Sequence, residues 1–349
     1  HRDLHSFPTR RSSDLLVMGG GLIGARHAQL IKEHPSTTLV GLVDPDPSAA
    51  PDLEAPRWAA LQDVETDDVD GVLIATPTPL HLAHCLSVAE RGWPMLVEKP
   101  LADTLETAAE LVQRVKVPAL VGFHRRHHCK VKALRQKLQE GAVGQSLSAS
   151  LIWAMRKPDS YFEGNWRSSG GSPVMINLVH DIDLLRHLFG EIVEISAFAG
   201  PVLRGSGRVE TGSVILRFVS GPTASISFAD TAPSPWGFEA GTGENPNIGT
   251  TGEDMLWITG TDGGIAFPSL TVWSGSDWSR PAEKQPATIM EDPPPLVAQL
   301  DHFIDVVEGR AEPMISLQDA TETLRAALDI ESRLGRALHC PDDILKDGV

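Results

Sequence analysis

The hexapeptide Gly19-Gly20-Gly21-Leu22-Ile23-Gly24 constrains this chain more than any other stretch. Its glycines at 19, 21 and 24 have the G-x-G-x-x-G spacing of a strand that turns sharply into a helix. The first allows the tight turn, the second a close approach of backbone to phosphate, and the third close packing of helix on strand. The apolar run Leu15-Leu16-Val17-Met18 precedes it, and Ala25 to Glu33 contains no breaker before Pro35. A second strand over 38–43 then ends at Asp44, twenty residues past the last glycine, where a carboxylate accepts hydrogen bonds from an adenosine ribose. Strand, glycines, helix, strand and acid in register predict a dinucleotide-binding unit, with Gly19, Gly21, Leu22, Ile23, Gly24 and Asp44 against the cofactor. No Arg or Lys lies between Asp44 and Arg57, and Asp44 and Asp46 would repel a ribose 2′-phosphate, so NAD is favoured over NADP.

A chain of 349 residues suggests two domains. Apolar residues are 41% and charged residues 22%, the profile of a soluble globular protein. No apolar run approaches a membrane span or has signal-peptide flanks, which leads to the expectation of a cytoplasmic protein with no membrane partner. A formal charge of −16 repels a phosphate backbone, so nucleic acid is excluded as a partner. Cysteines at 85, 129 and 340 are odd in number and irregular in spacing, which suits free thiols and not a disulfide framework. Residues 1–14, HRDLHSFPTRRSSD, lack apolar periodicity and look like a translated adapter, so they are set aside as a non-native segment.

Further along, residues 58–64 read as a short helix and 71–75 as a buried parallel strand. That strand ends in Thr76-Pro77-Thr78-Pro79-Leu80-His81. Ligands in open α/β sheets lie beyond the carboxyl ends of the strands, so Thr76, Pro77 and His81 are expected to border the cofactor. His81, His84 and Cys85 invite a metal site, but no second ligand pair at zinc spacing supports one, and no metal is predicted. The strand Met95-Leu96-Val97 runs into Glu98-Lys99-Pro100, which puts Glu98 and Lys99 on the same crevice as the glycines. The Lys-Pro bond is a candidate for cis. A helix follows, with Asp103 as cap and Glu106 three residues on. Residues 118–122 complete the alternation. In the run 123–128, neighbouring side chains on an extended segment point oppositely and cannot converge on one ion, and Arg125 is kept as a border residue of the substrate site.

From about residue 146 the pattern changes. A strand over 146–154 leads to a loop with Tyr161, Trp166, Arg167 and Gly170-Gly171. A helix then runs from Ser172 as N-cap, through Pro173, to Gly190 past its end, with Met175, Leu178, Ile182, Leu185 and Phe189 towards the core. On it, Asn177 lies three residues before His180 and Asp183 three after, so an amide and a carboxylate can both reach the imidazole. Strands are expected over 212–219, 223–230, 254–259, 264–267 and 270–273, with a long Gly/Pro loop over 233–250. Helices over 296–308 and 317–334 finish the chain, the latter capped by Ser316. Short strands in succession without helices between them indicate an antiparallel sheet. The fold class is therefore α/β, with an N-terminal Rossmann dinucleotide-binding domain over 15–123 and a C-terminal α+β domain over 124–349 whose sheet is mainly antiparallel.

With these residues in place, the chain after residue 14 resembles the Gfo/Idh/MocA oxidoreductases, the family of glucose–fructose oxidoreductase and inositol dehydrogenase. The stretches that carry the resemblance are GGGLIGARH, ATPTPLH, EKPLADT, the helix containing HDID and the terminal SLQDATETLRAALDI. It implies hydride transfer between a nicotinamide and a secondary alcohol of a sugar, polyol or inositol-like substrate, with Lys99 and His180 as the polar catalytic pair. In that scheme His180 takes the hydroxyl proton, Lys99 stabilises the developing charge, and Asn177 and Asp183 orient His180 or the substrate. Tyr161, Trp166 and Arg167 join Arg125 as substrate residues. The resemblance further implies a homo-oligomer, dimer or tetramer, formed through the C-terminal sheet. The sequence departs from the family pattern at Ile176, where related dehydrogenases commonly carry an Asp four residues before this His. Two other readings compete with the dehydrogenase: a hydrolase or lyase that retains NAD and acts through transient oxidation, and a non-catalytic NAD-responsive binding protein.

Overall fold

Strands β1 (Ser13–Met18), β2 (Thr37–Val43), β3 (Arg57–Trp58), β4 (Gly71–Ile74), β5 (Met95–Val97) and β6 (Ala119–Val121) form one sheet in the order β3-β2-β1-β4-β5-β6. Every pair in it is parallel. These strands are short continuous apolar runs, as expected of a parallel sheet covered on both faces, and β4, β5 and β6 are buried throughout. Helices α1 (Leu22–Glu33), α2 (His81–Glu90) and α3 (Leu105–Arg114) make the connections. The strand order reverses between β1 and β4, so the turns that leave these two strands flank the position where a doubly wound sheet binds its ligand. The coordinates are a computed structural model that describes residues 12–163, 172–204, 208–275, 277–286 and 293–338.

Three local expectations change. Residues 58–64 do not form a helix: Arg57 and Trp58 pair with Leu42 and Val43 as edge strand β3, and a single 3-10 turn, Leu61–Asp63, follows. The Trp58 ring covers Gly41 so closely that a Cβ there would meet it, and this tertiary contact overrides the local helical pattern. Helix α3 is capped by Thr104 and not Asp103, with the Thr107 N–H donating to Thr104 Oγ1 at 3.1 Å. Strand β1 starts at Ser13, two residues before the expected apolar run, because Ser13 and Asp14 pair with Thr37 and Thr38.

The chain divides into two compact units, one comprising the residues up to His124 together with Leu296–Thr321, the other Arg125–Pro295 with the residues from Glu322 onwards. In the second unit, α4 (Cys129–Gln139) precedes β7 (Ser146–Met155), and α5 (Val179–Phe189) precedes the run β8 (Ile192–Ala199), β9 (Thr211–Phe218) and β10 (Thr223–Ala229). After these come β11 (Pro233–Trp236), α6 (Phe238–Thr242), β12 (Leu256–Gly260), β13 (Gly263–Phe267), β14 (Val272–Ser274) and β15 (Glu283–Gln285). The sheet order is β15-β14-β13-β12-β7-β10-β9-β8, with β11 also on β7. All its pairs are antiparallel except β7 with β10.

Alternation gives this sheet two unlike faces. Leu151 and Trp153, Ile226 and Phe228, and Leu216 and Phe218 are buried, and Phe189 of α5 meets Phe218 with ring centroids 5.3 Å apart. The opposite face presents Ser148 and Ser150, Ser225 and Ser227, Ser213, Ile215 and Arg217, and Glu194 and Phe198 across the paired strands. Ile215 and Phe198 are exposed there. The C-terminal helices are α7 (Pro295–Val307) and α8 (Leu317–Leu338). Sequence pattern alone groups both with the second domain, yet α7 packs on the parallel sheet. Phe303 and Val307 sit over Gly71 so tightly that a Cβ there would lie 3.1 and 2.8 Å from them, and Val121 donates its N–H to Ile315 at 2.9 Å. An amphipathic pattern predicts a buried face without naming what buries it.

Candidate active site

The glycine turn has the geometry its spacing predicts. Gly19 sits at φ +92, and a Cβ there would lie 2.7 Å from the Ala75 carbonyl oxygen. A Cβ on Gly24 would run into the Gly19 carbonyl oxygen. Both glycines are therefore required for β1, α1 and the turn after β4 to close on one another. Gly21 differs, since a Cβ there meets no protein atom within 4 Å. The backbone at Gly21, which is the N-cap of α1 and makes no side-chain capping bond, thus fronts an opening of the kind a pyrophosphate fills at a helix N-terminus. Leu22, 84% exposed, flanks that opening, while Ile23 is partly covered.

Asp44 at the end of β2 accepts the Gly20 N–H at 2.6 Å on one oxygen and the Asp46 N–H at 2.9 Å on the other. The acid expected at the ribose and the glycine turn are thereby one hydrogen-bonded unit. Arg57, the next basic residue along the chain, donates to the carbonyls of Ala49, Ala50 and Leu53 at 2.5, 2.7 and 2.9 Å. Its guanidinium is engaged by the loop beyond Asp44, which agrees with a site built for NAD.

His81 bridges two loops, with Nδ1 3.0 Å from the Leu101 carbonyl and Nε2 3.0 Å from the Thr76 carbonyl. It is 1% exposed, so its part at this end of the sheet is to hold the Thr76-Pro77 turn against the Lys99-Pro100 segment. Thr76 Oγ1 is 2.9 Å from His84 Nδ1, and burial, reinforced by His81, lowers the His84 pKa. Glu98 is buried between His27 of α1, whose Nε2 donates to Oε1 at 2.9 Å, and the Lys99 N–H, which donates to Oε2 at 3.1 Å. Burial alone would raise its pKa, but the bond from His27 and the electrostatic pull of His27, Lys99 and His124 outweigh it and leave the carboxyl below its usual range. The Lys99-Pro100 bond is cis.

In the second unit the expected helix begins differently. Ser172 Oγ accepts the N–H groups of Val174 and Met175 at 3.2 and 3.4 Å, and Val174–Leu178 is a π-helical turn before α5 starts at Val179. Such turns recur at functional sites because they reorient side chains within a continuous helix. Asn177 lies within this one. Its Oδ1 is buried with no hydrogen-bond partner among the described residues, so an acceptor is held ready for a hydroxyl or amine donor. His180 is buried three residues later, on the first turn of α5.

Asp183 and Arg125 turn out to be struts. Asp183 accepts from Arg126 Nε and Nη2 at 2.8 and 2.6 Å, and from Thr323 Oγ1 at 3.1 Å, so the carboxylate expected to orient His180 or the substrate is tied to Arg126 and α8. Arg125, expected on the substrate border, is 1% exposed and pairs with Asp181 at 2.7 Å, Glu239 at 2.8 Å and Glu244 at 3.7 Å, with its guanidinium 4.2 Å from the Phe238 ring centre. A 3-10 turn at His124–His127, invisible to alternation, swings both arginines inward. Tyr161 packs edge-on against Phe162, with Lys157 Nζ 5.0 Å above its ring. Trp166 and Arg167 lie outside the described residues. Sequence reasoning passed over Lys157, which stands in no motif, and gave no role to His27 of the GGGLIGARH stretch or to Glu239 of the long loop.

The comparisons with known proteins now bear on this geometry. Residues 14–121 match the model described as "Oxidoreductase family, NAD-binding Rossmann fold", and residues 131–266 match the C-terminal domain model of the same family. The chain belongs to the Gfo/Idh/MocA oxidoreductases. Among curated relatives of this family, the scyllo-inositol 2-dehydrogenase (NAD(+)) of Bacillus subtilis (strain 168) is 26% identical over 337 residues, covering 89% of this chain and 91% of its own. The inositol 2-dehydrogenase of Rhizobium meliloti (strain 1021) is 26% identical over 76% of this chain and 80% of its own. Among solved structures, a putative NADPH-dependent oxidoreductase from Desulfitobacterium hafniense matches with a TM-score of 0.79 at 17% identity, over 93% of this chain and 96% of its own. A myo-inositol dehydrogenase from Corynebacterium glutamicum matches at 0.72 and 20%, over 93% and 97%. These structural likenesses establish the fold. As a Gfo/Idh/MocA oxidoreductase with an NAD-binding Rossmann domain, the protein takes NAD as its cofactor, and the residues present fit it.

One titration is testable. Burial pushes the Asp181 carboxyl up to about 7, with Glu239 and Glu244 adding to the rise and Arg125 opposing it. A single guanidinium faces three buried carboxylates, so the upward direction holds. Because the folded state keeps this proton and the unfolded state loses it near the ordinary value of 3.8, stability falls as pH rises from about 4 to about 7 and is level above that. Asp181→Asn removes this pH dependence. Urea midpoints of the variant are expected to differ less between about pH 5 and about pH 8 than those of the wild type. An equal pH dependence in both proteins would show that Asp181 is ionised across the range.

Proposed function

We propose that this Gfo/Idh/MocA oxidoreductase transfers hydride between NAD and a secondary alcohol carbon of a sugar, polyol or inositol-like small molecule. The observation that carries the reading is the buried Asn177 Oδ1, which has no hydrogen-bond partner among the described residues and lies in the π turn three residues before the buried His180. The named activities of its inositol dehydrogenase relatives support the same substrate class.

When bound, NAD supplies the electron-pair acceptor for the C–H bond of the alcohol. Gly21 and the first turn of α1 would hold its pyrophosphate and Asp44 its adenosine ribose, with Thr76, Pro77 and the His81-fixed loop along the crevice. His180 takes the hydroxyl proton during oxidation and returns it during reduction. Asn177 Oδ1 accepts a hydrogen bond from a substrate hydroxyl and so fixes which carbon reacts. Lys99, whose backbone is set by Glu98, stabilises the negative charge that develops on the alcohol oxygen. Since Ile176 cannot exchange a proton, His180 carries the acid–base step without a carboxylate one turn before it.

A screen of NADH formation across inositols, sugars and sugar acids identifies the substrate, and Lys99→Ala tests the mechanism. The variant is expected to bind NAD as the wild type does, by fluorescence titration, while kcat falls by about two orders of magnitude or more. Full activity of the variant would remove Lys99 from the mechanism. Failure of the wild type to form net NADH with any alcohol would favour an enzyme that recycles its cofactor.

The reading includes a homo-oligomer joined through the open face of the second sheet. That face is serine-rich, with Phe198 69% exposed on edge strand β8 and Ile215 46% exposed on the neighbouring β9. Light scattering on the purified protein is expected to give a dimer or tetramer, and Ile215→Glu to shift it towards monomer. A monomeric wild type, or an oligomer indifferent to the substitution, would place the contact elsewhere or abolish it.

A further inference from the structure

A cavity of about 600 Å³ opens in the second unit beyond the end of β7. Its lining includes Arg156, Arg204 and Arg208 together with Phe162, Asp159 and Glu163. The guanidinium groups of Arg204 and Arg208 lie 4.9 and 4.1 Å from the Phe162 ring centre. Both also converge on Asp230, which is fully buried, through contacts of 2.5 and 3.2 Å. Arg204 further donates to the carbonyls of Lys157 and Asp230 at 3.0 and 2.7 Å. Stacking and pairing together fix the planes of these two guanidiniums before anything enters the cavity.

Two carboxylates of this cluster, Asp230 and Glu210, are fully buried, and Asp159 and Glu163 stand on the cavity lining beside the arginines. Asp230 serves two arginines. Glu210, the other fully buried carboxylate of the cluster, accepts the backbone N–H groups of Leu203 and Arg204 at 2.7 and 3.0 Å. Asp159 is 70% exposed and only 3.5 Å from Arg204 Nε, where water screens it. Arg156 is exposed and has no carboxylate partner among the described residues. Lys157 adds a fourth cation. Its Nζ is buried without a hydrogen-bond partner among the described residues, 5.4 Å from the Trp153 ring centre and 5.0 Å from that of Tyr161. Burial pushes its pKa down to about 8, with Arg208 and Arg204 adding to the fall and Asp230 and Glu239 opposing it. A buried ammonium between aromatic faces is a strong donor towards any acceptor that comes within reach.

Lys157, next in sequence to the lining residue Arg156, is linked to α5 through a chain of charges. Glu239, which acts electrostatically on Lys157, binds Arg125, and Arg125 binds Asp181, the residue next to His180. Lys157 is therefore separated from the start of α5 by one buried ion-pair chain.

We propose that this arginine-walled cavity is a subsite for an anionic substituent of the substrate, a carboxylate or a phosphate, gripped by Arg156 against the fixed guanidiniums of Arg204 and Arg208. This deepens the dehydrogenase reading and rests on it: the preferred substrate is an acidic sugar or polyol, not a neutral one. A planar carboxylate or a tetrahedral phosphate both suit charge-assisted, forked bonds from guanidinium, and a neutral hydroxyl forfeits that interaction.

The test is titration calorimetry on the NAD-saturated full chain with three probes: inorganic phosphate, D-glucuronate and D-glucose. At least one anion is expected to bind at least about tenfold more tightly than D-glucose, the gain typical of a charge-assisted bond. Binding of D-glucuronate without phosphate names a carboxylate as the recognised group, and the reverse names a phosphate. Arg156 is exposed, so Arg156→Ala is expected to fold normally and to weaken anion binding by about tenfold or more while leaving D-glucose unaffected, with Arg156→Lys intermediate. Equal binding of all three probes, no binding of either anion, or an Arg156→Ala variant that binds the anion as the wild type does, would overturn the subsite. NADH formation, followed separately, keeps the two proposals apart. Turnover of neutral polyols with no preference for acids leaves the dehydrogenase standing without the subsite. Anion binding that depends on Arg156, with no NADH from any alcohol, leaves the subsite standing without the dehydrogenase.

Discussion

One buried carboxylate organises the cofactor side of this protein. Glu98 stands at the end of β5 and accepts from His27 on α1 and from the backbone of Lys99, so the helix that follows the glycine turn and the segment that carries the lysine share a single anchor. Gly122 passes it at a distance that leaves a Cβ only 3.1 Å from the carboxyl group, so β6 closes over the same point. A buried charge is tolerated only when its lone pairs are occupied, and here the occupants are the elements that must stay in register for a dinucleotide to be held. The motif Glu98-Lys99-Pro100 is thus one structural group, with the acid fixing where the base begins.

The second unit uses the same device with opposite polarity. Arg125 is the buried cation and Asp181, Glu239 and Glu244 surround it, while the neighbouring Arg126 holds Asp183 and through it Thr323 of α8. Two consecutive arginines therefore clamp two carboxylates of α5 on either side of Ile182. With that helix fixed, the π turn that precedes it sets the facing of Asn177 without disturbing His180. Near this carboxylate-rich hub lies the cation-rich wall of Arg204, Arg208 and Lys157. Each cluster supplies part of what the other lacks, and the field between them runs through Lys157 and Glu239.

Much of this was legible in the sequence, for identifiable reasons. A glycine turn is written in residues that few others can replace, so the Rossmann domain and Asp44 could be read directly. Ser172, Gly190 and Ser316 punctuated their helices and were found where capping chemistry places them. What pattern could not supply was long-range partnership. Arg125 looks like a surface cation until Glu239, more than a hundred residues later, folds back on it. Strand β8 was missed because only Ile195 of its eight residues is buried, which leaves hardly any alternation to read. The β7–β10 pair is parallel although the strands around it are antiparallel, a choice of register made by the sheet as a whole. The assignment of α7 to the parallel sheet likewise depends on a groove at Gly71 that no helical periodicity encodes.

The central claim is that the alcohol carbon gives its hydrogen directly to the nicotinamide. It is tested most directly with a turnover substrate deuterated at the carbinol carbon, followed by mass spectrometry of the reduced cofactor formed in ordinary water. The account predicts one deuterium per NADH, together with a slowed rate if the transfer limits turnover. Unlabelled NADH, or deuterium lost to solvent while the cofactor ends unreduced, would contradict it.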